Sequence, residues 1–138
     1  MRLLGIDFGF KRIGVAIGES EVGVVTPRSA LQASGALKTD AKSISQFARK
    51  EEVEGIVLGL PVEESGEEGR MARICRTLGD HLVECGERVH FVNEIYSSRE
   101  AENTLIEAGV KVAKRKELRD GEAASVILER FFDGQSTQ

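Results

Sequence analysis

Three acidic residues stand at the margins of predicted core segments. Asp7 comes at the end of the apolar run LLGID, and Glu94 follows the run RVHFVN. Asp120 lies four residues before Ala124, on the same stripe of the last predicted helix as the apolar residues up to Phe131. An ionised carboxylate beside a buried face is costly unless a cation or hydrogen-bond donors compensate it. Each carboxylate is therefore expected to have a partner.

Each carboxylate also has a simpler interpretation. Asp7 or Glu94 alone could be a loop residue whose oxygens accept hydrogen bonds from backbone amides. Asp120 directly precedes Gly121 and could cap the start of the last helix, because an aspartate side chain accepts bonds from the first unpaired N–H groups of a helix. Spacing alone favours neither interpretation of Asp120.

Three carboxylates that meet at one end of a sheet would suit a hard divalent cation, Mg²⁺ or Mn²⁺, which prefers oxygen ligands. Two such ions can activate water and stabilise the leaving oxygen in phosphodiester hydrolysis. Zinc is disfavoured, because the cysteines and histidines have none of the spacings of zinc ligands. These residues are Cys75, Cys85, His81 and His90.

Two groups of basic residues flank the acidic set. Lys11 and Arg12 begin the second predicted strand, which runs antiparallel to the first and so starts near Asp7. The second group, which precedes Asp120, consists of Lys111, Lys114, Arg115, Lys116 and Arg119. Both groups could neutralise phosphates around a metal site. Taken alone, they could equally be a charged hairpin and a solvated surface.

Hydrophobic periodicity predicts the elements that must position these residues. Three strands come first, and Pro27 favours an edge position for the third, because proline cannot donate to a sheet ladder. Helices and strands then alternate, which predicts parallel strands joined by right-handed crossovers. The predicted strands cover 3–8, 12–18, 23–31, 54–60 and 88–93, and the predicted helices cover 39–50, 67–85, 97–108 and 118–132.

This order, β-β-β-α-β-α-β-α-α, predicts an α/β fold with a mixed five-stranded sheet and helices on both faces. Ligand sites in such sheets gather at the carboxyl ends of the parallel strands. Asp7 and Glu94 should therefore lie at the same end of the sheet. The order by itself does not place Asp120 beside them.

Length and composition predict one compact domain. The chain has 138 residues, of which 41% are hydrophobic and 30% charged, and we expect a domain over 1–133 with a frayed tail over 134–138. No stretch approaches the ~20 apolar residues of a membrane span, and Asp7 interrupts the apolar start too early for a signal peptide, so we expect a cytoplasmic protein. Cys75 and Cys85 would be about 15 Å apart on one helix, too far to form a disulfide. The net charge of −4 does not by itself indicate a nucleic-acid-binding protein.

Four segments, taken together, resemble one family. GIDFGFKRIGVAIGES resembles the opening GIDxGxKRIGVA of the YqgF/RuvX family of pre-16S rRNA nucleases, which are also described as Holliday-junction-resolvase-like. GIVLGLPVEESGEEG resembles the VVGLP segment of that family and the loop after it. VNEIYSSREAE and KRKELRDGEAASVIL resemble its DERLTT motif and its KRK…D-x-x-A-A-x-x-IL ending. The resemblance covers nearly the whole chain.

The resemblance implies a ribonuclease-H-like fold and a catalytic metal site formed by Asp7, Glu94 and Asp120. It matches Lys11 and Arg12 to the KR pair of the family, and Lys114, Arg115 and Lys116 to its KRK run. From their charge, we expect these five residues to contact nucleic acid. The implied role is maturation of the 5′ end of 16S rRNA in bacteria, with cleavage of branched DNA as a second suggestion. Resolution of a junction would require a homodimer, whereas processing one RNA end would not.

The chain departs from the family at Asn93 and Ile95, where the family often has Asp and Arg on either side of the glutamate. Glu94 is retained, but an acceptor and a cation beside it are absent. This departure motivates a second hypothesis, a nucleic-acid-binding module with little or no catalysis. A third, an actin-like ATPase whose phosphate loop is DFGFKRIGVA, is disfavoured because such enzymes close two domains around the nucleotide.

Overall fold

The computed structural model of the chain describes residues 1–94, 112–134 and 136–137, with the backbone alone at 112–119 and 136–137. The predicted helix over 97–108 lies outside the described residues, as do Ile95 and the side chains of the basic group before Asp120. None of the three described helices combines the length and apolar character that a bilayer span requires. The elements are β1 (Arg2–Asp7), β2 (Arg12–Glu19), β3 (Val24–Gln32), α1 (Leu37–Lys50), β4 (Gly55–Leu60), α2 (Arg70–Glu84), β5 (Val89–Asn93), α3 (Val112–Phe132) and β6 (Ser136–Thr137).

The strands form one mixed sheet in the order β3-β2-β1-β4-β5-β6. The first three strands pair antiparallel, and β1, β4 and β5 run parallel to one another. This arrangement confirms the mixed five-stranded sheet and the edge position of the strand that contains Pro27. The sequence does not predict β6, a two-residue strand that pairs antiparallel with β5.

Helices cover both faces of the sheet, as predicted. On one face, α1 and α2 pack on Leu4, Ile6 and Leu58. On the other face, α3 packs on alternate residues of the same strands, including Leu3 and Val57. This alternation follows from the two-residue period of a strand. The central strand β4, GIVLGL, is buried along its whole length because both of its faces are covered.

Helix α3 begins at Val112, six residues before the predicted start at 118. The added segment VAKRKE contains mostly good helix formers, so nothing in it stops the helix. Asp120 therefore lies inside the helix, and the N-cap interpretation of this residue is wrong. Gly121 does not begin the helix, and its absent side chain allows close packing instead. A Cβ there would lie 3.0 Å from the Cβ of Pro27 and 3.1 Å from the carbonyl oxygen of Arg28.

Glycines in the sheet let α3 approach it closely. A Cβ at Gly14 would overlap the carbonyl oxygen of Asp120, and a Cβ at Gly5 would lie 2.8 Å from the carbonyl oxygen of Ala124. A glycine inside a strand often marks such an approach of another backbone. The position of Asp120 over the sheet therefore depends on Gly14.

Candidate active site

Asp7 and Glu94 lie on either side of Gly59 at the carboxyl end of the sheet. Ile6 pairs with Leu58, so the next residues along these parallel strands, Asp7 and Gly59, lie side by side. The backbone N–H of Glu94 donates to the carbonyl oxygen of Leu60 in β4 at 3.1 Å, so the pairing of β5 with β4 continues one residue past the end of β5. A Cβ at Gly59 would lie 2.6 Å from Oε2 of Glu94, so the glycine leaves room for this carboxylate.

Asp120 lies over the same end of the sheet. Asp7 pairs with Gly14 across the β1–β2 ladder, and residues directly opposite each other in a ladder share a face. Gly14 faces the Asp120 backbone, so Asp7 is on the side of the sheet that α3 covers. A Cβ at Gly59 would also lie 2.5 Å from Cδ1 of Ile127 in α3, so the Glu94 carboxylate that it meets is on this side too. All three candidate residues are therefore on the α3 side at the carboxyl end.

The charges of Asp7 and Glu94 act on a shared neighbour, the thiol of Cys75 in α2. Burial, followed by the negative charges of Glu94 and Asp7, raises the pKa of this thiol to about 12. Both carboxylates thus contribute to one local negative potential. This is the potential that a bound cation would neutralise.

We expect the two cysteines to react at very different rates with a thiol reagent at pH 8. Both are free; Cys75 is buried, whereas Cys85 is partly exposed at the end of α2. The thiolate is the reactive species, and a pKa of about 12 leaves only ~10⁻⁴ of Cys75 ionised at pH 8. A colorimetric titration should show one thiol in the native protein and two after unfolding. The Cys85→Ser variant is the control and should lose the fast-reacting thiol. Equal rates for both thiols in the native protein would contradict the burial of Cys75.

The partner of Asp120 is Arg12. Its Nε donates to Oδ2 of Asp120 at 2.6 Å, and the side chains are 38% and 17% exposed. The contact provides the compensation that a carboxylate on the buried stripe requires. The guanidinium of Arg12, which the sequence predicts to contact phosphate, is paired with a carboxylate in this structure.

The donor chemistry of the site fits a hard cation. Asp7 and Glu94 carry carboxylate oxygens at the ends of β1 and β5, the two strands that flank β4, and carboxylate oxygens are the ligands that Mg²⁺ and Mn²⁺ prefer. Within the part of the chain that the structure describes, no group of three or more His, Cys, Asp or Glu side chains is arranged to hold a metal ion. The ion pair with Arg12 engages the third carboxylate, Asp120.

The basic residues lie around this end of the sheet. Lys11 is exposed and, with Arg12, lines an open cleft of about 390 Å³ against the end of β3, whose other lining residues are Ala30, Leu31 and Gln32. The backbone of Lys114, Arg115 and Lys116 belongs to α3. Lys116 precedes Asp120 by one helical turn, about 6 Å along the axis.

Two glycines that shape the site, Gly14 and Gly59, and the pairing of Arg12 with Asp120 are not among the features predicted from the sequence. The signal for the glycines was present, because each interrupts an apolar strand. No local signal in the sequence indicates the ion pair, because Arg12 and Asp120 are 108 positions apart.

Comparisons with known proteins agree on one family. The family model "RuvX: Holliday junction resolvase" matches residues 1–134. A protein of Thiobacillus denitrificans named "Putative pre-16S rRNA nuclease" is 37% identical over 138 residues, which span 98% of this chain and 93% of that protein. A protein of Methylobacillus flagellatus with the same name is 38% identical over 133 residues, which span 96% and 90% of the two chains.

Two solved structures share the fold. Thermus thermophilus RuvC in complex with a Holliday junction substrate superposes with a TM-score of 0.59 at 15% identity, over 97% of this chain and 94% of that one. The fowlpox virus Holliday junction resolvase gives a TM-score of 0.60 at 11% identity, over 97% and 99%. These identities support a shared ribonuclease-H-like fold and nothing finer. The family match over residues 1–134 and the 37–38% identical relatives establish that the chain belongs to the RuvX family.

Proposed function

We propose that this chain is a nuclease that hydrolyses phosphodiester bonds with Mg²⁺ or Mn²⁺, and that its substrate is the 5′ end of precursor 16S rRNA. The observation that carries the proposal is the position of Asp7 and Glu94 on either side of Gly59, with Asp120 over the same end of the sheet. Family membership and the names of the relatives support it. Residues 1–133 would form the nuclease domain, and such a substrate implies a cytoplasmic protein.

Asp7 and Glu94 would hold the cation, and Asp120 would complete the ligand set once its carboxylate leaves Arg12. When bound, divalent cations supply an activated water and stabilise charge on the leaving 3′ oxygen. Gly59 contributes by leaving space for the Glu94 carboxylate. Gly14 contributes by letting the Asp120 backbone approach the sheet beside Asp7.

The basic residues would bind the phosphates on either side of the scissile bond. Lys11 is exposed next to Arg12 and can contact a phosphate without breaking an ion pair that the structure describes. Arg12 would exchange the Asp120 carboxylate for a phosphate when that carboxylate turns to the cation. Lys114, Arg115 and Lys116, one to two turns before Asp120, would extend this contact along α3.

The experiment that tests the proposal offers two substrates to the purified protein, precursor 16S rRNA and a four-way DNA junction, each with and without Mn²⁺. We expect cleavage of the RNA near the mature 5′ end, only when Mn²⁺ is present. Cleavage of the junction alone would favour the resolvase alternative. Binding of both substrates without cleavage of either would favour the nucleic-acid-binding module.

We expect Arg12→Gln to tighten Mn²⁺ binding, because the guanidinium and the cation compete for Asp120. A partly exposed ion pair contributes up to about 1 kcal/mol, so the expected gain is at most about fivefold in Kd, measured by calorimetry. Arg28→Gln is the matched control: Arg28 is 39% exposed and pairs with Glu51 instead. The gain should disappear in the Asp120→Asn background. Weaker Mn²⁺ binding by Arg12→Gln would contradict this competition.

A further inference from the structure

Phe10 is an exposed aromatic side chain in the turn that joins β1 to β2. Phe10 is 59% exposed. Among the described residues, it is the only aromatic one of the exposed large hydrophobic residues. Its ring meets the ring of buried Phe8 edge to face, with centroids 5.9 Å apart and planes at 80°. The edge contact with Phe8 supports the ring while leaving it largely accessible to solvent.

A single exposed apolar residue requires no explanation by itself, and what distinguishes Phe10 is its surroundings. It immediately precedes Lys11 and Arg12, which line the open cleft beside β3. It follows Asp7 by three residues, so the two Cα atoms are at most about 11 Å apart. Stacked nucleotides in one strand are spaced about 3.4 Å apart, so this distance corresponds to about three nucleotides.

We propose that the Phe10 ring stacks on an unpaired base of the nucleic acid, one to three nucleotides from the scissile phosphate. The inference rests on the proposed function, because it assumes that the scissile phosphate lies at the carboxylates of Asp7, Glu94 and Asp120. An aromatic face binds any base that is free of its own stack, while adjacent cations bind the backbone phosphates. Cations next to the ring favour a polyanion over an apolar partner surface. A base inside a duplex presents no free face, so Phe10 would select single-stranded or splayed segments.

The test measures binding without cleavage, in EDTA, by anisotropy of a labelled single-stranded oligoribonucleotide that contains 2-aminopurine, a base whose fluorescence falls on stacking. We expect the wild-type protein to bind this probe and quench it. Phe10→Leu should bind about 10-fold more weakly without quenching, and Phe10→Tyr should behave as wild type. A blunt RNA duplex should bind both Phe10 variants and the wild type within about twofold. Val22→Ser, an exposed apolar position at the far end of the β2–β3 hairpin, is the control and should change neither signal.

The outcomes separate this inference from the proposed function. Equal affinity and quenching for wild type and Phe10→Leu would overturn the stacking role, while Mn²⁺-dependent cleavage by the same preparations would leave the nuclease in place. An equal loss of affinity for the single strand and the duplex would also overturn it, because a general binding defect is not base stacking. If the wild type bound no nucleic acid in any form, the proposed function would fail and the inference with it.

Discussion

Asp7→Asn is expected to abolish Mn²⁺-dependent cleavage and to leave the fold intact. The amide has the size of the carboxylate but lacks its charge. The cation would lose one of the two carboxylate ligands that flank Gly59. Removing an outer-shell partner of a metal ligand typically costs 10–100-fold in affinity or activity. Removing a ligand itself should cost at least about 100-fold in kcat/KM, measured on precursor 16S rRNA.

The control for this prediction is Asp80→Asn, which removes an exposed carboxylate from α2, on the other side of the sheet. It should cleave as the wild type does. Circular dichroism and thermal unfolding should give wild-type curves for both variants. If the purified Asp7→Asn protein cuts the RNA at the wild-type rate, Asp7 is not part of the catalytic site.

The largest expected loss of stability comes from Gly14→Ala. The added methyl group would overlap the carbonyl oxygen of Asp120, and neither backbone can move without separating α3 from β2. Overpacking a core typically costs 1–3 kcal/mol, and a backbone contact offers less relief than a side chain does. We therefore expect the free energy of unfolding, from urea titration, to fall by about 3 kcal/mol.

Gly18→Ala provides a matched control in the same strand and on the same face. Its Cβ would meet the ring of Phe132 at 2.9 Å, and a side chain near the end of α3 can rotate away. We expect a loss of about 1 kcal/mol or less there. Equal stabilities for the two alanine variants would contradict the close packing of α3 that positions Asp120.

Much of the fold could be predicted from local sequence signals. Short apolar runs marked the five main strands, and Pro27 identified the edge, because proline lacks the donor that a central strand needs. The start of α3 was predicted six residues late, and Asp120 before Gly121 was left open as a possible helix start. Packing of that glycine against Pro27 overrides its low helix propensity.

The candidate site was predictable only in part. Strand ends are local features, and the parallel order of the strands then brings Asp7 and Glu94 to one end of the sheet. The pairing of Arg12 with Asp120 depends on how α3 crosses the sheet, which Gly14 determines through a contact distant in sequence. Helical periodicity could indicate that Asp120 required a partner, but it could not identify which cation would supply it.

The most direct test of the proposed metal site is a crystal structure determined with Mn²⁺, in which the anomalous scattering of the ion locates it. We expect a peak within about 2.6 Å of carboxylate oxygens of both Asp7 and Glu94, with Asp120 turned from Arg12 toward it. A crystal that shows no such peak at saturating Mn²⁺, or one in which the ion lies elsewhere on the chain, would contradict the proposal that these carboxylates form the metal site.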